Sequence, residues 1–284
     1  MKCSLDCIPC LLRQTLRSAR FSKSSDPEGL LREVMTVLMR LSWDATPMEL
    51  GFEVYRVIRE RLGDPYAEAK RRSNEFALKL LPRLKEIVQF SGDPLETAVR
   101  IAIAGNVVDY GALDEFSVEE TVERALKAEP GIYHFEELRR DLERAETVLY
   151  FLDNAGEVVF DRLLVETIIS VLGPKRFVFV ARSVPFINDV TPHEVREIGL
   201  TNAPGSEVRG MKCGSLSEYR DFTRTMEEWM EEADVVISKG QGNYELLSEY
   251  KGIYFLLTVK CQVVADYLGA KVGDVVILRG RGRR

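Results

Sequence analysis

An uninterrupted apolar run, Thr147 to Leu152, stops at Asp153-Asn154-Ala155-Gly156-Glu157. Apolar β-branched and aromatic residues in such a run make a strand buried on both faces. The carboxylate and amide that follow then project from the carboxyl edge of a sheet, where open α/β folds place their ligands. A second run, Phe177 to Ala181, leads into Arg182 and then Asn188-Asp189; Lys239 follows Val235 to Ser238, and Lys260 follows Ile253 to Val259. Paired carboxylates with amide oxygen suit a hard divalent cation, Mg2+ or Mn2+, that keeps part of its water shell. Arg and Lys suit a phosphoryl group. Together they describe a metal-assisted site for a phosphate ester. Asp153, Asn154 and Asp189 hold the cation, water attacks in line, and Lys260, Lys239 and Arg182 orient the phosphoryl oxygens, with Asn188 beside them.

Each member also has a plainer use. Asp153-Asn154 can cap the next helix, Asp189 can serve a turn, and the lysines can be surface residues. Glu157, one turn into a helix, is either an outer acid or base or a complement to the helix dipole. An aspartyl-phosphate route needs a second Asp two residues after the nucleophile, and Ala155 stands there, so Asp153 is read as a ligand. In Gly105-Asn106 to Gly111, a polar pair between an apolar helix and a turn is either a helix C-cap or has Asn106 and Asp109 reaching across to the sheet edge. Cys3, Cys7 and Cys10 share one face if their segment is helical and suit a metal or redox cluster, with a fourth ligand elsewhere; alternatively they are small core residues. His134 and His193 fall in no zinc-protease or triad spacing and read as structural or surface residues.

The elements that position these groups divide the chain. Helices dominate to residue 145: Asp26-Pro27 opens one to about Ser42, Thr46-Pro47-Met48-Glu49 is a capping box for one to Leu62, and Asp64-Pro65 opens one to Gln89. Asp93-Pro94 starts another that stops at Gly105, and shorter helices follow Ser117 and Phe135. From there strands alternate with helices, the pattern of βαβ units and a parallel sheet. Besides the four strands above, Val275 to Leu278 makes a fifth, and a short element at Gly210 to Gly214 adds another. Right-handed crossovers would place all their carboxyl ends on one edge. The expectation is an α/β protein: a multihelical region, 1–145, packed on a Rossmann-like α/β/α domain, 146–284, that holds metal and phosphate.

With 284 residues, 45% hydrophobic and 30% charged, the chain can bury a sizeable core. It carries neither a membrane span nor a signal-peptide pattern and reads as cytoplasmic. A net charge of −6 argues against nonspecific nucleic-acid binding, and the basic tail Arg279 to Arg284 reads as a solvated end.

In order along nearly the whole chain, the N-terminal cysteines with Pro9-Cys10-Leu11, Asp64-Pro65-Tyr66 with Lys70 and Asn74, Gly105-Asn106 with Asp109, DNAGE with Phe160-Asp161, Asn188 to Thr191, Ser238 to Asn243, and Thr258 to Cys261 resemble the damage-control phosphatase family, long catalogued as a domain of unknown function. The resemblance implies a Rossmann-like domain with a divalent metal on Asp153, Asn154 and Asp189, a phosphate-binding lysine at Lys260, and Mn2+, Co2+, Ni2+ or Mg2+ as cofactor. It implies hydrolysis of small phosphorylated metabolites, often damaged or side-product sugar phosphates or nucleotides. One branch carries Arg three residues before that lysine; this chain has Leu257 and looks closer to the cysteine-bearing branch. Two other readings are an S-adenosylmethionine-dependent carboxyl methyltransferase, for which the glycine-rich loop is replaced by DNAGE, and a noncatalytic metal or thiol sensor of a metabolite. The oligomeric state is not encoded in any motif.

Overall fold

Proline at the first helical position and an acceptor just before it start three of the early helices. The computed structural model describes residues 1–105, 123–124 and 126–282, so Asn106, Asp109, the start of the helix expected after Ser117 and the end of the basic tail lie outside the described residues. The chain opens with α1 (Cys7–Phe21), α2 (Pro27–Arg40), α3 (Pro47–Leu62), α4 (Ala67–Gln89) and α5 (Pro94–Ala104). Asp26 accepts from the Gly29 amide, Thr46 and Glu49 form the expected capping box, and Asp93 accepts from the Glu96 amide. Gly105 does not end α5 in a left-handed turn. Its φ is −53°, and a Cβ there would lie 2.3 Å from a ring carbon of Phe160, so close packing demands the glycine.

The second half supplies β1 (Ile132–Tyr133), α6 (Phe135–Arg144), β2 (Thr147–Phe151), α7 (Glu157–Leu172), β3 (Arg176–Arg182), α8 (Pro192–Glu197), β4 (Glu207–Met211), α9 (Leu216–Glu231), β5 (Val235–Lys239), α10 (Gln241–Leu247), β6 (Lys251–Thr258), α11 (Gln262–Leu268) and β7 (Val275–Arg281). The sheet order is β1-β7-β6-β5-β2-β3-β4. All pairs are parallel except β6 with β7, which run antiparallel. That corrects the expectation of one common carboxyl edge: β7 points the other way. Tyr133 and Ile132 form a short strand inside the stretch read as helical, and Arg279 to Arg281 belong to β7 rather than to a frayed tail. Arg279 lies 3.3 Å from Asp141, and its amide donates to His134 Nδ1 at 2.9 Å.

Both faces of the sheet are covered, so its strands alternate between two cores. Val148, Tyr150 and Leu152 pack with α4, α5, α6 and α7, whereas Leu149 and Phe151 pack with α1, α2, α3, α9 and α11. Chain order reverses at β2, which lies between β3 and β5. This is the switch point where open α/β sheets leave a crevice. Among the described residues, no helix is long and apolar enough to cross a membrane.

Candidate functional site

Beyond the end of β2 the backbone leaves the sheet and pairs with the loop after β3. Asn154 and Asp189 form an antiparallel bridge. The Val190 amide donates to Asp153 O and the Ala155 amide to Asn188 O, both at 2.9 Å. Two carboxylates distant in sequence are thus brought together by the two backbone hydrogen bonds of this bridge. Asp153, Asn154, Asn188, Asp189 and Lys260 line one cavity of about 260 Å³, joined by Arg17 and Gln14 of α1 and by Gln241 and Glu245 of α10.

Two glycines shape the first carboxylate's surroundings. Gly156 starts α7 with φ +84°, and its amide donates to Asn74 Oδ1 at 2.6 Å, which ties the DNAGE turn to α4. Gly240, after β5, has φ +76°, and a Cβ there would fall 1.9 Å from Asp153 Oδ2. Only a residue without a side chain lets β5 pass so near that oxygen.

Arg182 and Lys239 depart from expectation. Arg182 is 2% exposed; its Nε donates to Asp189 Oδ2 at 2.7 Å and its Nη2 to Asn243 Oδ1 at 2.8 Å. It fixes the carboxylate rather than facing a phosphoryl group. Lys239 is fully buried, and its ammonium donates to Glu157 Oε1 at 2.7 Å, Asp161 Oδ1 at 2.5 Å and Ala102 O at 2.9 Å. Three acceptors use its three protons, so it supports the site from beneath. Glu157 lies in the same buried layer and, among the described residues, meets the site through Asn154, whose Nδ2 donates to Asp153 Oδ2 at 2.7 Å and lies 3.5 Å from Glu157 Oε2. Lys260 remains exposed on the cavity wall, its amide donating to Gln241 Oε1 at 2.8 Å.

Electrostatics follow from this burial. Burial pushes the Asp189 carboxyl up to about 7, opposed by Arg182 and assisted by Asp153. It also pushes Glu157 up to about 8 against the pull of Lys239, and raises Asp161. A site that gathers carboxylates faster than it neutralises them favours an added cation. The donor set fits one: Asp153 and Asp189 carboxylates with Asn154 and Asn188 amides on one polar cavity. Among the described residues no three His, Cys, Asp or Glu side chains converge for a metal, so a cation here would complete its shell with amide oxygen and water, as Mg2+-like ions do.

That same absence bears on the cysteines. Cys3 precedes α1, which starts at Cys7, so the three thiols do not share one helical face, and no thiol cluster with Cys3, Cys7 and Cys10 is formed for a metal. The Cys3 thiol donates to Ser4 O at 3.3 Å, and its sulfur beside Cys7 holds the Cys7 thiol down to about 6. Cys7, Cys10 and Cys261 line a cleft next to the carboxylate cavity, while Cys213 is buried near Arg182. His134 is structural, accepting from the Arg279 amide, and His193 is a surface residue, 77% exposed. A wider cleft of about 920 Å³ between α4 and α8 contains Lys70, paired with Asp64 at 2.8 Å and Glu194 at 3.0 Å, but neither Asp153 nor Asp189.

Residues without an assigned role in the sequence reading turn out to matter. Asp161, four residues after Glu157 on α7, was reachable from helical spacing. Asn243 donates to Leu152 O and Lys239 O, both at 2.9 Å, linking three strand ends. Arg17 enters from a helix remote in sequence, and only the fold brings it in.

Comparison with known proteins points the same way. Residues 3–276 match the family described as the damage-control phosphatase ARMT1-like domain. The chain is 35% identical to a damage-control phosphatase of Archaeoglobus fulgidus over 97% of this chain and 98% of that protein. It is 31% identical to a damage-control phosphatase of Pyrococcus horikoshii, with 99% of each covered. A crystal structure of a DUF89 family protein from Pyrococcus horikoshii superposes with a TM-score of 0.89 at 30% identity, covering 99% of this chain and all of that one.

Proposed function

The chain belongs to the damage-control phosphatase family, a family of hydrolases, and we propose that it is a divalent-metal-dependent phosphomonoesterase acting on small phosphorylated metabolites at the cavity between β2 and β3. The observation that carries this reading is the Asn154–Asp189 bridge, which gathers Asp153 and Asp189 on one cavity wall with the exposed Lys260. In this reading Asp153, Asn154 and Asp189 hold Mn2+, Mg2+, Co2+ or Ni2+. Such an ion supplies Lewis-acid neutralisation of phosphoryl charge and lowers the pKa of water.

The protein's own groups do the rest. Lys260, with Arg17 in place of Lys239 and Arg182, meets the remaining phosphoryl oxygens. Arg182 holds Asp189 in one orientation, and the Asn154 amide does the same for Asp153, so neither carboxylate must reorganise as charge develops. Water adds to phosphorus, the ester P–O bond breaks, and the alcohol departs carrying a proton. Glu157, screened from the cavity by Asn154, positions rather than exchanges protons with substrate. The test is phosphate release from a panel of phosphomonoesters with each metal. Wild-type protein releases phosphate only with metal, and Asp153→Ala or Asp189→Ala lowers turnover by about 10^2 to 10^3 or more; near-normal turnover in either variant defeats the assignment.

A further inference from the structure

The carboxylate cavity does not end at the phosphate. It opens into a second cleft of about 390 Å³, and Met48, Phe186, Ile187, Gln241, Glu245 and Lys260 are among the residues that border both. Beyond that junction the cleft wall includes Leu11 and Val263, with exposed polar residues such as Arg13 and Gln262. A phosphate held between Asp153 and Lys260 therefore has a largely hydrocarbon slot next to it.

Ile187 marks the junction. It has φ +46°, left-handed backbone that a β-branched residue adopts only when its surroundings impose it. Here the turn is closed by the Asp189 amide donating to Phe186 O at 2.9 Å. Phe186 is anchored against Tyr55 and Phe52, with ring centroids 4.6 and 5.5 Å away. An Asn or Gly would fit that turn without strain. The turn instead carries an isoleucine, which lines both cavities, directly before Asn188-Asp189.

We infer that this cleft is the subsite for the alcohol portion of the substrate, that it selects phosphate esters whose alcohol carries an apolar ring or hydrocarbon body, and that Ile187 is the specificity-determining residue. The inference rests on the phosphatase reading of the adjoining cavity. Along the Leu11, Met48, Phe186 and Val263 part of the wall a hydroxyl finds no side-chain partner and is discriminated against, whereas Gln14, Gln241 and Glu245 at the junction can meet hydroxyls close to the phosphate. An apolar body loses nothing there and leaves water behind.

The experiment uses the full chain with Mn2+ and two non-hydrolysable probes, methylphosphonate and 1-naphthylphosphonate, with binding measured by calorimetry. Burial of the naphthyl group should make the second bind at least about tenfold tighter. Ile187→Gly, which relieves the backbone, and Val263→Asp, which charges the wall, should each reduce that ratio at least about fivefold, with a melting temperature for Ile187→Gly no lower than wild type. A wild-type ratio near one, or a ratio that survives both substitutions, overturns the subsite while leaving the phosphatase reading intact. Failure of both probes to bind in the presence of metal overturns both.

Discussion

Lys239 offers the sharpest distinction between a residue that binds substrate and one that holds the site together. Replacing it with Met keeps the chain length and removes an ammonium that is fully buried and serves Glu157, Asp161 and Ala102 O. Two buried carboxylates then face each other without their cation, and Asp161 Oδ2 already lacks a hydrogen-bond partner. Breaking a buried pair from one side costs about 3–5 kcal/mol, a large part of the roughly 5–15 kcal/mol of a typical domain. Protonation softens the loss. Folded-state pKa values of Glu157, up to about 8, and of Asp161 lie above their ordinary values through burial, and without Lys239 both rise further. Groups raised in the folded state stabilise it at low pH and lose that contribution as pH rises through the folded pKa. The deficit of Lys239→Met relative to wild type therefore widens once pH passes the wild-type folded pKa values, which for Glu157 is about 8. Guanidinium unfolding at several pH values measures it. Lys260→Met, on an exposed residue, should leave stability within about 0.5 kcal/mol and impair phosphate release instead. A Lys239→Met deficit below about 1 kcal/mol at pH 7, or one that shrinks as pH rises, would refute the assignment of Lys239 to the supporting layer.

Two further outcomes follow from local geometry. Gly240→Ala places a Cβ 1.9 Å from Asp153 Oδ2 at φ +76°, and displacement of that carboxylate by about 1 Å should reduce turnover on the order of 10^2; normal turnover with an unchanged melting curve would show that β5 does not constrain Asp153. Because Cys3 holds Cys7 down to about 6, iodoacetamide labelling of Cys7, followed by peptide mass spectrometry, should rise with a midpoint near pH 6. In Cys3→Ala that midpoint should move toward about 8.5, and an unmoved midpoint would remove Cys3 as the cause.

What the sequence disclosed depended on whether a feature was local. Capping signals at Asp26, Thr46 and Asp93 sit within one turn of the helices they start, and the apolar runs of β2, β3, β5 and β6 are readable because both faces of each strand are buried. Strand direction is not local, which is why β7 was expected parallel. β1, at two residues, is too short for any periodicity to reveal. Asp153 stood out in the sequence because it lies two positions past the end of β2, free of the sheet's alternation. Arg182 and Lys239 are instead the last residues of β3 and β5, so the pleat turns their side chains into the buried layers. Lys260 instead stands two positions past the end of β6 and lies exposed on the cavity wall. Arg17 and the cleft beside Ile187 depend on how α1 and α3 settle on the sheet, and no spacing in the chain reports that.

Electron paramagnetic resonance of Mn2+ titrated into the full chain, recorded for wild type, Asp153→Ala and Asp189→Ala, tests most directly whether these two carboxylates share one ion. The account predicts one tightly held Mn2+ per chain in wild type and loss of that ion in each single variant. Retention of the wild-type stoichiometry and affinity in either variant would contradict it.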